Sequence, residues 1–278
     1  MSQLSKRIWK DIKVFNNSNL NENGIYCDFD DRDIHNVKVL IIGPEDTPYE
    51  YGYYLFRLRF PFNYPLEPPK VTFMTQGHNI RFNPNLYTNG KVCLSILGTW
   101  EGPGWTPSCT LSSVLLSIQS LLCVNPIHNE PGWETVDAKD IRCTSYNDIL
   151  RLANIKIAIL ENIYNCQEEF TCFLPIMKSQ LQKNREKIID NLPLKDKGFI
   201  VTKTFNLLLK YDNDELKRKL TLDKKPIKKK QLKRYAPNIA SKDQEVGFRI
   251  ISTNDGKEYE VYLTKTGRKR WRKFKVPE

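Results

Sequence analysis

The chain has 278 residues, 40% of them hydrophobic, with seven cysteines and a net charge of +11. That length exceeds what one hydrophobic core usually organises and predicts one full domain with a smaller addition. No apolar run approaches the ~20 residues of a membrane span, and the charge is too local for the whole chain to act as a nucleic-acid binder: Lys217 to Glu278 hold 20 Lys and Arg against 7 Asp and Glu, leaving residues 1–216 at −2.

In chain order, Leu4, Ile8, Ile12 and Phe15 recur at helical spacing and predict an amphipathic helix over 2–15, capped by Ser2 or Ser5. Charge scattered through its apolar positions is unlike an export signal. The text from Ile25 to Phe73 then changes to strands: Val37–Ile42 ends at Gly43-Pro44, Tyr53–Phe60 ends at Pro61, and Lys70–Phe73 follows a proline pair. Short strands with brief connections predict a four-stranded antiparallel meander and an α+β class. Residues 76–108 carry no period and many turn residues, which predicts a long ordered loop of the kind that is usually functional. Leu111, Leu115, Ile118 and Leu122 mark the buried side of a helix over 111–123. Further helices are expected over 138–165, 166–190 and 197–221. Lysine and proline leave 223–238 without core material, so it reads as a linker. Beyond it, Gly247–Ile251, Tyr259–Leu263 and Arg270–Phe274 are separated by Asp255-Gly256 and Thr266-Gly267 turns and predict a small three-stranded module. The expected domains are a catalytic core at 1–165, a helical extension at 166–222, the linker at 223–238 and the β module at 239–278.

The cysteines are odd in number and form no Cys-x-x-Cys pair, and His35, His78 and His128 are scattered, so no metal site is legible. Free thiols predict a reducing compartment, cytoplasmic and/or nuclear. Cysteine is more often packing than chemistry, and Cys27, Cys109, Cys123, Cys143, Cys166 and Cys172 are read that way. Cys93 stands apart. The turns Asn83-Pro84-Asn85 and Asn89-Gly90 precede it by eight and three residues, fix the backbone beside the thiol and keep it near the surface. A Cys-His protease reading lacks a base close in sequence.

Several segments in a fixed order resemble the ubiquitin-conjugating enzyme family over roughly residues 4–165. They are Lys6-Arg7-Ile8 with Lys10, Gly43-Pro44-Glu45-Asp46-Thr47-Pro48-Tyr49-Glu50, Phe60-Pro61 with Tyr64-Pro65, Pro68-Pro69-Lys70-Val71, the Cys93 segment, Trp105-Thr106-Pro107 and Asn125-Pro126. The resemblance implies an α+β conjugating-enzyme fold and a ubiquitin (or ubiquitin-like) thioester on Cys93. The modifier comes from an activating enzyme and passes to a substrate lysine, usually with a ligase. ATP is consumed by the activating enzyme, and no cofactor or metal is bound directly. Asn85 would stabilise the oxyanion, while Asn83 stands where the family usually has a histidine with a structural task. His128, Asn129 and Glu130 are candidates for proton acceptor or gate, against a plain reading as a capped turn. Lys6, Arg7 and Lys10 would contact the activating enzyme, against simple solvation of a helix face. Leu66 and Pro107 would contact a ligase, with Leu66 equally readable as core. Trp100 and Trp105 read as loop braces. The long Gly98–Trp105 loop and the His128–Gly132 segment resemble the large Z-type subgroup, which has extra C-terminal helices and is loaded by the alternative activating enzyme. Inactive scaffolding variants of the family lack the cysteine, and Cys93 is present. Lys224-Lys225 and Lys228-Lys229-Lys230 read as a linker, a nuclear address, or a nucleic-acid contact with Tyr262, Trp271 and Phe274 for stacking.

Overall fold

The computed structural model describes residues 3–30, 33–222, 241, 244–251, 258–263 and 269–274. The first helix, α1 (Gln3–Asn16), buries Ile8, Ile12 and Phe15, each such apolar side chain contributing about 1.5–3 kcal/mol on burial. Ser5 falls inside α1 rather than ahead of it, and Ser2 lies outside the described residues. Four strands follow, β1 (Ile25–Asp30), β2 (Asp33–Ile42), β3 (Tyr53–Arg59) and β4 (Lys70–Phe73), paired in the order β1-β2-β3-β4. The register sets Val39 opposite Phe56 and Phe56 opposite Phe73. The meander read from the sequence is therefore present.

Helix α2 (Leu111–Ser120) starts in a capping box: the Thr110 hydroxyl accepts from the Ser113 amide at 3.2 Å, and the Ser113 hydroxyl accepts from the Thr110 amide at 2.8 Å. Its buried side is Leu111, Val114, Leu115 and Ile118, and it packs against α1. Helix α3 (Ile141–Ala153) runs into a π-helical stretch, Asn154–Glu161, and a last turn α4 (Asn162–Tyr164). The π stretch and α4 bring one asparagine each to β3 and the loop before it. Asn154 donates to Glu50 O at 2.8 Å and accepts from the Tyr54 hydroxyl at 2.7 Å, and Asn162 donates to Tyr53 O at 2.7 Å. Gly52 makes this possible, since a Cβ there would sit 1.8 Å from Asn154 Oδ1.

A short 3-10 segment, Glu168–Phe173, leads into α5 (Leu174–Asp190), which has a proline in its first turn. Tyr53 on β3 donates to Met177 O at 2.7 Å, and Lys187 donates to the Tyr51 hydroxyl at 3.0 Å, so α5 lies on the core. The helix expected over 197–221 is a correction. That stretch is a hairpin of β5 (Lys197–Thr202) and β6 (Leu207–Asp212) followed by a short helix α6 (Asn213–Thr221). Its period is two: Leu207, Leu209 and Tyr211 are buried while Leu208 and Lys210 are exposed, and Ile200-Val201-Thr202 is a β-branched run that suits a strand. Left-handed Phe205 (φ 55°) and Asn206 (φ 51°) close the hairpin. For Phe205 that conformation costs about 1–2 kcal/mol, which its packing must offset.

The chain divides into two compact units, residues 1–28 with 35–224 and residues 29–34 with 225–278. In the second, β7 (Arg249–Ile251), β8 (Glu258–Leu263) and β9 (Lys269–Lys273) form an antiparallel sheet. Two of its arginines have partners in the same unit: Arg272 pairs with Glu260 at 2.7 Å, and Arg249 lies 3.5 Å from the Phe274 ring centre. The linker, its lysine clusters and the two expected turns of the module fall outside the described residues. Among the described residues no helix is long and apolar enough to cross a membrane, and no metal-ligating cluster forms.

Candidate active site

Cys93 and Asn85 meet in a small antiparallel turn. The Cys93 amide donates to Asn85 O at 2.9 Å, and Asn85 Nδ2 donates back to Cys93 O at 2.7 Å. The turn is tied to the sheet edge, where the Phe73 amide donates to Gly90 O at 2.8 Å and Lys91 bridges Thr72. Asn83 holds the other side. Its Nδ2 donates to Leu121 O at 2.8 Å and to the Tyr49 hydroxyl at 3.1 Å, and its Oδ1 accepts from the Asn85 amide at 2.9 Å. Fully buried and satisfied, Asn83 is a structural support for the turn.

The expectation of a shallow thiol needs correcting, because Cys93 is only 1% exposed. The segment is clamped from downstream as well as upstream. The Thr99 hydroxyl donates to Val92 O at 2.7 Å and accepts from the Leu94 amide at 3.0 Å, which pins the main chain on both sides of Cys93. The glycine-rich loop after it turns back until a Cβ on Gly102 would lie 3.2 Å from Ser95 Cβ. The remaining cysteines vary in depth. Of the six read as packing, Cys143 is buried, Cys27, Cys109, Cys123 and Cys166 are partly buried, and Cys172 is exposed. Desolvation raises the pKa of Cys27, Cys123, Cys143, Cys166 and Cys172, so none of them is set up as a thiolate.

The three candidate proton acceptors are engaged in holding a turn. His128 Nε2 lies 2.8 Å from Val136 O, Asn129 Nδ2 lies 3.4 Å from both Asn83 Oδ1 and Leu121 O, and Glu130 is 3.8 Å from Arg81. Those bonds match the capped-turn reading. In the same region Asp140 caps α3, and its bonds to the Arg142 side chain and amide hold its carboxyl down at about 2.

On α1, Lys6 and Lys10 are exposed. Arg7 is not a free surface charge. Its guanidinium donates to Pro107 O at 2.7 Å, to Cys109 O at 2.6 Å and to buried Asp11 at 3.2 Å. Asp11 also accepts from the Tyr64 hydroxyl. Leu66 is 75% exposed and Pro107 is exposed, so the core reading of Leu66 falls away. The sequence reading missed Phe62, 79% exposed in the same loop; the apolar residues set between prolines in Phe60-Pro61-Phe62-Asn63-Tyr64-Pro65-Leu66 are the signal for it. Trp105 braces this loop by donating to Pro65 O at 2.7 Å, whereas Trp100 is exposed. Arg81 was also missed: it donates to Pro84 O at 2.6 Å, inside the turn that carries Asn85.

The sequence profile of the ubiquitin-conjugating enzymes matches residues 7–151. The chain is 52% identical over 143 residues to ubiquitin-conjugating enzyme E2 Z of Xenopus tropicalis, covering 50% of this chain and 44% of that protein. Against ubiquitin-conjugating enzyme E2 Z of Homo sapiens it is 50% identical over 143 residues, 50% of this chain and 39% of the relative. It is also 42% identical over 174 residues to the human dual E2 ubiquitin-conjugating enzyme/E3 ubiquitin-protein ligase BIRC6, covering 59% of this chain and 4% of that protein. The chain thus spans less than half the length of these relatives. It belongs to the ubiquitin-conjugating enzyme family, with its likeness falling on the Z-type subgroup.

Proposed function

We propose that the protein accepts ubiquitin, or a ubiquitin-like modifier, from an activating enzyme as a thioester on Cys93 and passes it to a substrate lysine with the help of a ligase. ATP is spent by the activating enzyme. In loading, the Cys93 thiol gives its proton to solvent, and the thiolate attacks the donor thioester carbonyl. The activating enzyme's thiolate then leaves and takes up a proton. In transfer, a lysine amine attacks the Cys93 thioester and loses a proton, the Cys93 thiolate leaves, and an isopeptide bond remains. A thioester has a good leaving group, so the protein's work is positioning and charge stabilisation.

The observation that carries this reading is the 2.7 Å bond from Asn85 Nδ2 to Cys93 O. It uses one of the two N–H bonds of the amide and keeps the other beside the residue that would carry the thioester. Exposed Phe62, Leu66 and Pro107 support a ligase contact, since solvent-exposed apolar side chains grouped together mark interaction surfaces.

Incubation with ubiquitin, ATP and an activating enzyme should give a reductant-labile adduct, which Cys93→Ser turns into a reductant-stable oxyester. An adduct that survives in Cys93→Ala sinks the assignment. The likeness to Z-type relatives supports charging by the alternative activating enzyme, and faster charging by the ordinary one overturns that part alone.

A further inference from the structure

We infer that the β5–β6 hairpin is part of the transfer machinery: Phe205, through Arg81, is a positioning residue for the turn that carries Asn85. The inference rests on the proposed Cys93 chemistry and adds a residue to it from some 110 positions downstream of the cysteine.

Arg81 is the hub. Its guanidinium carbon lies 4.1 Å from the Tyr87 ring centre and 4.5 Å from that of Phe205, and its Nη2 donates to Pro84 O at 2.6 Å. Tyr87 and Pro84 lie on either side of Asn85 in the chain, so one planar cation grips the turn before and after the candidate donor. The main chain of Arg81 is held as well, because the Tyr146 hydroxyl donates to Arg81 O at 2.6 Å. Phe205 reaches both holds, since its ring also packs edge-on against Tyr146 at 5.4 Å.

Two features mark the contact as built. Phe205 adopts a left-handed backbone, φ 55° and ψ 17°, that an aromatic residue has no intrinsic reason to choose. Such strain persists only where surrounding contacts over-determine it, and it gathers at sites where placement matters. The hairpin is also secured to α3 beneath the site: Ser145 and Thr202 hydroxyls meet at 2.8 Å, and Thr204 donates to Arg142 O at 3.4 Å. Guanidinium is attracted to an aromatic face by its quadrupole as well as by packing. An aliphatic replacement of similar bulk therefore keeps the packing and forfeits the attraction.

The test uses the full chain, charged with ubiquitin and chased with free lysine under single-turnover conditions. Phe205→Ala and Phe205→Leu should slow discharge about five- to tenfold, the scale of a small misplacement of an acting group. Phe205→Tyr should stay within twofold of the parent. Thermal melts of each variant separate these effects from unfolding. Side-chain amide NMR supplies a readout that needs no activity: the Asn85 Nδ2 and Arg81 Nε signals should move in Phe205→Leu and return in Phe205→Tyr. Discharge within twofold of the parent in Phe205→Ala overturns the inference, and so does equal slowing in the Leu and Tyr variants. If the parent carries no thioester on Cys93, it is the conjugating function that fails. The brace is then decided by the NMR signals alone, and unmoved signals in Phe205→Leu reject it.

Discussion

The turn around Cys93 and the base of α1 are built with the same device and are read differently by a scan of the sequence. In each, a polar side chain closes on main-chain carbonyls: Asn85 on Cys93 O, and Arg7 on Pro107 O and Cys109 O. Arg7 spends three of its five N–H donors on internal partners, one of them buried Asp11. Asn85 spends one N–H of its two. A motif position serves structure or chemistry according to where its remaining donor lies: that of Asn85 is beside Cys93, whereas Arg7 is tied to Asp11 and the 107–109 loop.

The sharpest way to break this comparison is Asn85→Ala. Loss of a single oxyanion donor costs about 2.7–4 kcal/mol, or roughly 100- to 1000-fold, so discharge of the thioester onto lysine should fall by at least about tenfold. Asn85 also braces Cys93, so loading by the activating enzyme is the discriminating control. A donor role predicts that discharge falls far more than loading. Equal loss in both steps would mean that the residue is a brace like Arg7, and no loss in either would mean that it is idle.

Much of this was legible from the residues. The Cys93 segment, the meander and the α2 helix carry local signals, namely paired turns, runs that end at proline and a clean helical stripe. What was not legible depends on distant partners. Nothing in Lys6-Arg7-Ile8 announces that one of two neighbouring cations will be claimed by a loop a hundred residues on. The hairpin at 197–212 is hidden in the sequence because Phe199-Ile200-Val201 and Leu207-Leu208-Leu209 are continuous apolar runs, which fit strand and buried helix alike; their alternation shows only in the burial, with Leu207 and Leu209 in and Leu208 out. The depth of Cys93 was missed for a similar reason, since the Thr99 hydroxyl that clamps it lies beyond the recognisable motif. Phe205 and Arg81 carry no motif at all.

Arg7→Ala should show its effect in stability. It leaves the buried Asp11 carboxylate with the Tyr64 hydroxyl but without its cation, and uncovers two loop carbonyls. Removing one partner of such a pair costs about 3 kcal/mol, seen as a lower midpoint in chemical denaturation. Arg7→Lys should recover little of it, because a point charge cannot reach three acceptors in the fork that guanidinium presents. A denaturation midpoint unchanged in Arg7→Ala would return Arg7 to the solvent-exposed class of Lys6 and Lys10.

The smallest expected effect completes the contrast on the same helix. Lys6 and Lys10 are exposed, so alanine at both should leave stability within about 0.5 kcal/mol of the parent. If they meet the activating enzyme as rim charges, their loss lowers the association rate more than it raises dissociation. The defect should then be several-fold in charging rate at low salt and should shrink toward physiological ionic strength, where charges farther apart than ~8 Å are screened. Discharge onto lysine, which does not involve the activating enzyme, should be untouched. A charging rate that is unaltered at low salt would make both lysines simple solvation, in contrast to Arg7, whose work is internal.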